Sequence, residues 1–409
     1  MTHAVSRRTA LSAIAAATSA LATTASQAQA ATVKLGVVVP LSGPFAAIGN
    51  NIRAGAEFAV DDINAAGGIK ALGGAKLQLI AADAEDSVEK AKNAAQRLLA
   101  QHADLVGGMG DALSGMTLAI TEMTERADLP WLTQTFADAI TERGFKNVFE
   151  MVPVASMQGQ LALPTIMEVA KLAGKVPKTA AVIADTNQAI QGMVKVWRES
   201  GFEKAGLKLL SEKSFTPPIA DATELISNLR RNRPDVLFVM PASLPDLKLL
   251  LNSLSEQGLG RDVLPTFGLA GPTATPEALN LIGAQGLENF FSINSNWPGK
   301  RHQELVARFK ARTGRPWMTS QSLDGYAQVQ IYRDAVEKAG AADRKKVADA
   351  IRRMDSTTGP AEFVNGPLKW DDKGRRVGAG LVIAQWRGGQ PVAVYPPSTA
   401  THNVVWAGS

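Results

Sequence analysis

The chain has 409 residues, enough for two domains of ordinary size, and its 45% hydrophobic and 20% charged residues are typical of a globular protein with a sizeable core. It contains no cysteine, which excludes disulfides, thiolate catalysis and cysteine-ligated metal sites. Its 43 Lys and Arg against 38 Asp and Glu give a formal net charge of +5, but the basic residues form short clusters that indicate solvated helix faces rather than contact with nucleic acid.

Residues 1–30 predict an export signal. They carry the adjacent arginines Arg7 and Arg8, no acid, an Ala-rich apolar stretch, and then Ala-Gln-Ala at 28–30, which matches a small-x-small cleavage site. The arginine pair favours the twin-arginine route over an ordinary secretory signal. Because the apolar stretch is too short to span a bilayer, we expect cleavage near Ala30 and a soluble mature protein in the periplasm.

The first half of the mature chain alternates strand and helix patterns. Its first strand, residues 33–39, is an apolar and mostly β-branched run that two prolines and a glycine within 40–44 terminate. A helical pattern follows at 51–66 and ends at a Gly-Gly pair. Further strands are predicted at 77–82, 104–107, 129–133 and 148–152, with helices after the capping signal at 86–89 and at 113–126. This alternation predicts a parallel sheet with helices on both faces, and such sheets bind ligands outside the carboxyl ends of their strands.

The pattern restarts near residue 153, which predicts a second α/β unit of similar size. Helices at 156–172, 189–204, 220–231 and 244–257 alternate with strands at 179–184, 207–215, 236–240 and 264–267. Beyond residue 295, helices are predicted at 301–313, 321–339 and 344–354, followed by strands at 367–370 and 381–386 and a loosely ordered tail from residue 396. Since no low-complexity linker separates the units, we expect short crossovers between them.

No catalytic motif is complete in this sequence. Residues 108–113 follow a strand and open a helix, but Leu113 stands where a dinucleotide fingerprint requires its third glycine. A turn that exposes helix amides, which would suit a carboxylate, is the better interpretation. The phosphate loop and the GxSxG elbow are absent, and the histidines at 102, 302 and 402 lack metal-ligand spacing. We therefore predict no enzyme, no metal and no cofactor.

Short motifs follow one another in a fixed order along the mature chain. Near the start they are Ser-Gly-Pro at 42–44, Gly-Ala-Glu at 55–57 and Asp-Ile-Asn-Ala-Ala-Gly-Gly-Ile at 62–69. Near the end they are Gly-Tyr-Ala at 325–327 and Gly-Pro-Leu-Lys-Trp-Asp-Asp-Lys-Gly at 366–374. This ordered set resembles the branched-chain amino-acid (Leu/Ile/Val) type of periplasmic substrate-binding proteins of ABC transporters, and the resemblance covers essentially the whole mature chain.

The resemblance implies the type I periplasmic-binding fold. In that fold, two doubly wound parallel-sheet α/β lobes are joined by three crossovers, and hinge closure traps the ligand between them. The crossovers are expected near 152–155, 295–298 and 362–366. One lobe is then expected to comprise residues 31–152 and 296–362 and the other residues 153–295 and 363–399, with 400–409 as a tail.

The resemblance also implies the function and the partners. It indicates a solute-binding component of an ABC importer, with a small-molecule ligand and membrane permease subunits as partners, and a monomer that binds no nucleic acid. Two alternatives stay open: a sensing module of the same fold for a signalling partner, and an exported α/β enzyme.

The family holds the α-carboxylate of its ligand on loops that match residues 110–114 and 133–136 here. Ser114 and Thr135 are the matching hydroxyl candidates, with helix capping or turn formation as the alternative. The predicted ligand contacts are Phe45, Ile48, Gly110, Asp111, Ser114, Gln134, Thr135, Phe136, Asp185, Gln188, Ala270 and Trp297.

These candidates have different expected roles. Asp111 would pair with an ammonium or hydroxyl group or cap its own helix, and Phe136 and Trp297 would stack on a planar ligand or pack in the core. Phe45 and Ile48 are expected to face the ligand or the opposite lobe. Asp185 and Gln188 lie in a strand–helix loop at 185–190 that departs from the family's Tyr-Gly.

One departure bears on the ligand. Amino-acid binders of the family often carry an acid after the strand that matches residues 264–268, where it pairs with the ligand ammonium. This chain has Leu269, Ala270 and Gly271 at that point. The departure disfavours an α-amino acid and leaves a small organic acid, an aromatic acid or an amide open.

Overall fold

A computed structural model describes residues 32–110 and 113–408 of the chain. The predicted export signal and Asp111 lie outside these described residues. Within the described ranges, no helix has both the length and the apolar character that a membrane span requires.

The first part of the chain forms a five-stranded sheet in the order β2-β1-β3-β4-β5, in which every strand pairs in parallel with its neighbours. The strands are β1 Thr32–Val39, β2 Lys76–Asp83, β3 Leu105–Met109, β4 Trp131–Thr133 and β5 Val148–Glu150. Helices α1 Ala46–Ala65, α2 Val88–Gln101 and α3 Ser114–Arg126 connect them. The predicted parallel α/β unit is therefore confirmed.

The local signals explain this unit. β1 is an apolar run whose side chains are mostly buried, as expected for a strand covered by helices on both faces. The predicted capping signal is also confirmed, because Ser87 precedes α2 and its Oγ accepts a hydrogen bond from the backbone N–H of Lys90 at 3.3 Å. α1 starts five residues earlier than the pattern predicted, and Ile48 thereby becomes part of the helix.

The second part of the chain forms a seven-stranded sheet in the order β14-β13-β10-β9-β8-β6-β7. Its strands are β6 Thr179–Asp185, β7 Lys208–Phe215, β8 Val236–Met240, β9 Thr266–Leu269, β10 Phe291–Asn294, β13 Val382–Arg387 and β14 Gln390–Tyr395. Among the described pairings of this seven-stranded sheet, only those of β13 with β10 and with β14 are antiparallel. The sequence patterns missed β10 and β14.

Helices cover both faces of this sheet. They are α4 Ala155–Leu172, α5 Gln188–Val196, α6 Thr223–Arg231, α7 Leu244–Glu256 and the short α8 Ala270–Thr273, α9 Pro276–Ile282 and α10 Ala284–Leu287. α5 continues through a π-helical turn, Trp197–Gly201, to Phe202–Lys204, so the long helix predicted in this region is present with one wider turn.

Three later helices, α11 Gln303–Thr313, α12 Ser320–Ala339 and α13 Arg344–Arg352, return to the five-stranded sheet. α12 packs closely along α1, and two glycines of the sequence motifs allow that approach. A Cβ on Gly55 would lie 1.8 Å from the carbonyl oxygen of Ser322, and a Cβ on Gly325 would lie 2.3 Å from that of Ile52. The buried Ser322 Oγ donates to the carbonyl of Asn51 at 2.9 Å.

The third crossover differs from the prediction. Strand β12, Leu368–Lys369, pairs with β11, Asp355–Ser356, and Trp370 belongs to the core of the five-stranded sheet. The backbone N–H of Glu150 donates to the carbonyl of Gly374 at 2.7 Å. The chain therefore passes to the seven-stranded sheet between residues 376 and 382, and the boundary predicted at 362–366 is wrong.

The end of the chain also differs from the prediction of a loosely ordered tail. Trp406 is buried against the rings of Phe267 and Phe291, with centroids 6.0 and 5.8 Å apart. The backbone N–H of Val405 donates to Gln385 Oε1 at 3.0 Å. We call residues 32–150 with 300–376 lobe 1, and residues 155–294 with 382–408 lobe 2.

Candidate functional site

A cavity lies between the two lobes, at the carboxyl ends of strands from both sheets. Lobe 1 lines it with Ile48, Ile52, Leu113, Ser114, Gln134, Thr135, Phe136, Ser320, Gln321 and Asp324. Lobe 2 lines it with Gln158, Asn187, Ala189, Ile190, Pro241, Ala242, Leu269, Gly271, Pro272 and Ile293. Val152 and Ser295, in the connections between the lobes, complete the wall. This edge of a parallel sheet is where open α/β folds bind ligands.

Ser114 begins the 13-residue helix α3 at the cavity wall. The first turn of a helix presents backbone N–H groups and the positive end of the helix dipole, which favour an anion. The Ser114 Oγ accepts a hydrogen bond from the backbone N–H of Ala137 at 3.3 Å, so it also ties the helix start to the loop after β4. Among the described residues none accepts a hydrogen bond from this hydroxyl, so its O–H is a candidate donor to a ligand.

The hydroxyl of Thr135 is used inside the wall. Thr135 Oγ1 donates to Thr117 Oγ1 at 2.8 Å and lies 3.0 Å from Thr133 Oγ1. Thr117 Oγ1 in turn donates to the carbonyl of Leu113 at 3.2 Å. This buried chain of hydroxyls fixes the loop after β4 to the start of α3. The Thr135 hydroxyl therefore has a structural role, which the sequence analysis gave as the alternative to ligand binding.

Gln134 supplies an unused donor. Its Nε2 is buried and has no hydrogen-bond partner among the residues that the structure describes. A buried amide N–H without a partner is costly in a folded protein, so such a group in a cavity wall marks a position where a ligand acceptor would be favourable.

Asp185 organises the lobe 2 wall without lining the cavity. Its side chain is fully buried; Oδ1 accepts from the backbone N–H of Asn187 at 2.8 Å and Oδ2 from that of Ala242 at 2.6 Å. It therefore holds together the two loops that present Asn187 and Ala242 to the cavity. Desolvation by burial raises the pKa of its carboxyl, and the two backbone hydrogen bonds oppose that rise.

The predicted contacts divide into three groups. Five of them line the cavity: Ile48, Ser114, Gln134, Thr135 and Phe136. Five others do not line it: Phe45, Gly110, Asp185, Gln188 and Trp297. The remaining two are Asp111, outside the described residues, and Ala270, whose backbone neighbours Leu269 and Gly271 both line the cavity.

The residues away from the cavity have other surroundings. Phe45 packs on the cluster between α2 and α3, and Gln188 is exposed at the start of α5. Gly110 lies so close to β1 that a Cβ there would be 2.1 Å from the carbonyl oxygen of Val38. Trp297 is 4% exposed in a core cluster of lobe 2 that also contains Trp317.

The sequence reasoning missed the contribution of α12. Ser320, Gln321 and Asp324 line the cavity from its first turns. Asp324 directly precedes the Gly-Tyr-Ala motif in the sequence, but it becomes unusual only once the packing of α12 shows that this helix face is buried.

Asp324 is the only ionisable side chain among the described residues that line the cavity. It is 2% exposed, and its Oδ1 accepts from Asn296 Nδ2 at 2.8 Å. Burial raises the pKa of Asp324 to about 6, although the charge of Arg376 acts in the opposite direction. Most other lining side chains are aliphatic, aromatic or proline.

The connections between the lobes meet close to this carboxylate. Asn296 Nδ2 also donates to the carbonyl of Phe363 at 2.9 Å. Arg376, which is 2% exposed, donates from Nη1 to the carbonyl of Met151 at 2.7 Å and from Nη2 to the carbonyl of Asn365. Within residues 32–110 and 113–408, no group of three His, Asp or Glu is placed to hold a metal ion.

A family model described as a periplasmic binding protein matches residues 32–390 of the chain. Among curated proteins, Leu/Ile/Val-binding protein homolog 7 of Brucella suis is 28% identical over 388 residues, which cover 91% of this chain and 94% of that protein. Leu/Ile/Val-binding protein homolog 8 of the same organism is 28% identical over 396 residues, which cover 93% and 94%.

Solved structures of the same fold carry different ligands. The branched-chain amino acid transporter substrate binding protein LivJ of Streptococcus pneumoniae, in complex with isoleucine, matches with a TM-score of 0.74 and 20% identity, covering 88% of this chain and 99% of that one. A solute binding protein of an ABC transporter from R. palustris, in complex with benzoate, matches with a TM-score of 0.71 and 19% identity, covering 92% and 99%.

Proposed function

The chain belongs to the periplasmic binding protein family, and on that premise we propose that it is the solute-binding component of an ABC importer. It captures a small ligand that bears a carboxylate, between its two lobes, in the periplasm. Its partners are that ligand and the membrane permease subunits of the importer.

The observation that carries this proposal is the cavity whose walls come from both lobes. A site divided in this way gains its full set of contacts only when the lobes face each other, so ligand binding and lobe closure are coupled. The connections that join the lobes lie beside the cavity, so a rotation of one lobe about them would change the distance between the two walls.

The polar groups of lobe 1 favour a carboxylate. Ser114 at the start of α3 and Gln134, whose Nε2 has no partner among the described residues, are hydrogen-bond donors on the same wall. Ile48, Ile52 and Phe136 add apolar surface to this wall. The start of α12 adds the polar Ser320, Gln321 and Asp324. An apolar body with one carboxylate fits this division, and the isoleucine and benzoate of the two solved relatives share that chemistry.

The experiment begins with the native ligand. The protein is purified from its periplasm, unfolded, and the released small molecules are identified by mass spectrometry; we expect a small carboxylate. Titration calorimetry with a panel of aliphatic amino acids, aromatic acids and amides then ranks the candidates. A panel in which amides bind and carboxylates do not would contradict the proposed ligand class.

A matched pair of variants tests the wall. Gln134→Leu removes the unpartnered donor, and we expect about a tenfold loss of affinity for the best carboxylate. Gln101→Leu makes the same chemical change at an exposed position at the end of α2, and we expect no loss. Equal affinities in the two variants would remove Gln134 from the ligand site.

A further inference from the structure

A second cavity, which we call the hinge pocket, lies beside residues 297–299 in the second connection between the lobes. It shares no lining residue with the cavity described above. Its walls come from α11 of lobe 1, from β14 of lobe 2 and from the connection itself, and its volume is about 510 Å³. Small-molecule sites have volumes of this order and occur preferentially where two domains meet. The hinge pocket therefore has the size and the position of a ligand site.

The wall of the hinge pocket is mainly apolar. Trp297, Trp317 and Met318 form part of it, and α11 adds Val306 and Ala307. The segment Pro-Val-Ala at 391–393 of β14 closes the wall on the side of lobe 2. Aromatic and aliphatic side chains of this kind bind the apolar body of a ligand.

Trp297 brings a hydrogen-bond donor to this wall. Its side chain is 4% exposed, and no described residue accepts a hydrogen bond from its indole Nε1. Trp317 and Trp386, by contrast, donate their indole N–H to backbone carbonyls at 3.1 and 2.8 Å. A nearly buried N–H without an acceptor is costly, so it marks a position where a ligand acceptor would be favourable.

The charge in the hinge pocket is positive. Lys310 on α11 is the only ionisable side chain among the described residues that line it. Its ammonium group forms no ion pair within 4.0 Å with an acid in the described part of the chain. Gln303 and Gln390 add side-chain amides, whose N–H groups are further donors. An ammonium group and N–H donors without a nearby carboxylate favour an anion over a cation.

We propose that the hinge pocket is a second ligand site, which binds a small apolar molecule with one anionic group. The apolar body packs against Trp297 and Trp317. The anionic group accepts the indole N–H of Trp297 and is attracted by the charge of Lys310. Carboxylates and sulfonates share this chemistry. Because the two cavities have no lining residue in common, one molecule of the protein can hold a ligand in each of them.

The test uses a pair of fluorescent probes that differ in charge. The anionic probe is 8-anilinonaphthalene-1-sulfonate, and the neutral probe is N-phenyl-1-naphthylamine, which has the same rings without the sulfonate. Fluorescence titration gives the affinity of each probe. Nuclear magnetic resonance of the indole N–H groups then shows which of the seven tryptophans the probe contacts. We expect the sulfonate to shift the Trp297 signal, which is recognised by its absence in Trp297→Phe.

Two variants test the groups that bind the anion. Trp297→Phe keeps an aromatic ring without the N–H, and we expect about a tenfold loss of affinity for the sulfonate. Lys310→Gln removes an exposed charge, and we expect about a two- to fivefold loss. Both variants should leave the affinity for the neutral probe within about twofold. Lys338→Gln is the control, because this exposed lysine of α12 lines neither cavity and should change neither affinity.

A second pair of variants tests the place of binding. Ala307 and Ala311 are both exposed on α11, but only Ala307 lines the hinge pocket. Ala307→Trp should fill the pocket and remove both the shift of the Trp297 signal and most of the affinity for the sulfonate. Ala311→Trp should leave both unchanged. Because both positions are exposed, these variants and Lys310→Gln decide the matter even if Trp297→Phe does not fold.

Three results would overturn the inference. If the sulfonate binds without shifting the Trp297 signal, or if Ala307→Trp and Ala311→Trp bind it equally well, the probe binds elsewhere. If Trp297→Phe and Lys310→Gln weaken both probes equally, the pocket does not recognise an anionic group. None of these results bears on the carboxylate panel for the cavity between the lobes, so the proposed function stands or fails separately.

Discussion

At the scale of single residues, the crossover region holds two buried charges that serve different purposes. Arg376, at the start of the third crossover, uses its guanidinium to bind the backbone carbonyl of Met151 in the first crossover and that of Asn365 in lobe 1. Asp324 lines the cavity, and no residue in the described part of the chain donates a hydrogen bond to its Oδ2. Burial lowers the pKa of Arg376 to about 10 and raises that of Asp324 to about 6, so both side chains are charged at neutral pH.

Replacing Arg376 should destabilise the protein strongly. Arg376→Met leaves the carbonyls of Met151 and Asn365 without their donors and removes the cation that acts on Asp324, so we expect a loss of about 3–5 kcal/mol in the free energy of unfolding. Arg353→Met is the control, because the Arg353 side chain is 80% exposed and pairs only weakly with Asp349 at 3.9 Å. Guanidinium unfolding measures both variants; a small effect at Arg376 would mean that the protein tolerates the carbonyls of Met151 and Asn365 without these donors.

The raised pKa of Asp324 makes the stability of the unliganded protein depend on pH. Between about pH 4 and pH 6 the folded protein binds this proton more tightly than the unfolded chain, whose aspartates have pKa values of about 3.9. The free energy of unfolding therefore falls as the pH rises through this window. A shift of about two pKa units corresponds to roughly 3 kcal/mol as an upper figure.

Asp324→Asn should remove this contribution. We expect the variant and the wild type to have similar stability at about pH 4 and the variant to be more stable at about pH 7.5, when both are measured without ligand by denaturant unfolding. The variant should be the more stable protein at about pH 7.5 because it does not bury the ionised carboxylate that the wild type carries at that pH. A stability difference that does not change with pH would show that Asp324 does not titrate in this range.

At the scale of secondary-structure elements, the contact between α1 and α12 holds lobe 1 together beside the cavity. Ile48 and Ile52 on α1, and Ser320, Gln321 and Asp324 on α12, all reach the cavity from this helix pair. The spacing of the helices thus sets the position of a large part of the lobe 1 wall.

Gly55→Ala should separate these helices. The added Cβ would meet the backbone of Ser322, which cannot move aside as a side chain can, so we expect a loss of about 1–3 kcal/mol or more in the free energy of unfolding and a weaker ligand affinity. Gly192→Ala is the matched change in α5, where the nearest atom to a Cβ is 3.4 Å away. There we expect a gain of up to about 1 kcal/mol, since alanine favours helix. Equal effects in both variants would contradict the close-packing argument.

The elements that sequence could predict are those with strong local signals. β1 has a long apolar run and α2 has a capping serine, and both lie close to their predicted positions. β10 has four residues, Phe-Ser-Ile-Asn, and β14 contains a proline, so neither has a signal that stands out from a loop. β10 becomes a strand by pairing with β9 and β13, which lie far from it in the sequence. β14 becomes a strand by pairing with β13 across a tight turn.

The lining of the cavity could be predicted from the sequence where a loop follows a strand, but not where it comes from a helix face. The loop after β4 and the start of α3 pointed to Ser114, Gln134 and Phe136, which line the cavity. Asp324 is in the second turn of a long helix, and only the tertiary packing of α12 reveals that this face is buried at the cavity. Trp297 was predicted to contact the ligand, but its ring lies in the hydrophobic core of lobe 2.

At the scale of the whole molecule, several contacts join the lobes on the side of α1 and α12. Trp317, in the segment between α11 and α12, packs at 5.6 Å from Trp386 of lobe 2, and its Nε1 donates to the carbonyl of Ala274 at 3.1 Å. Gln321 Nε2 donates to the carbonyl of Gly271 at 3.3 Å. The contact between Gln321 and Gly271 joins two residues that line the cavity, so the relative position of the lobes and the shape of the cavity depend on each other.

Near them, Arg315 of lobe 1 lies across from Glu277 of lobe 2. Its Nη1 is 3.7 Å from Glu277 Oε1 and donates to Asn51 Oδ1 at 2.8 Å, while Asn51 Nδ2 lies 3.5 Å from Glu277 Oε2. The side chains of Arg315 and Glu277 are 24% and 35% exposed, so solvent screens this interaction only in part. The contacts among Arg315, Asn51 and Glu277 favour the arrangement in which the lobe 1 wall and the lobe 2 wall face the same cavity.

Glu277→Gln should therefore weaken ligand binding without touching the cavity wall, since Glu277 does not line it. An ion pair of this exposure contributes up to about 1 kcal/mol, so we expect an affinity about two- to fivefold lower and, by small-angle scattering, a larger radius of gyration for the unliganded protein. Asp61→Asn is the control, because Asp61 pairs with Arg312 inside lobe 1 and should change neither quantity. If Glu277→Gln and Asp61→Asn behave alike, the contact between the lobes does not control closure, and the position of the lobes must depend on the buried contacts of Trp317 and Gln321 instead.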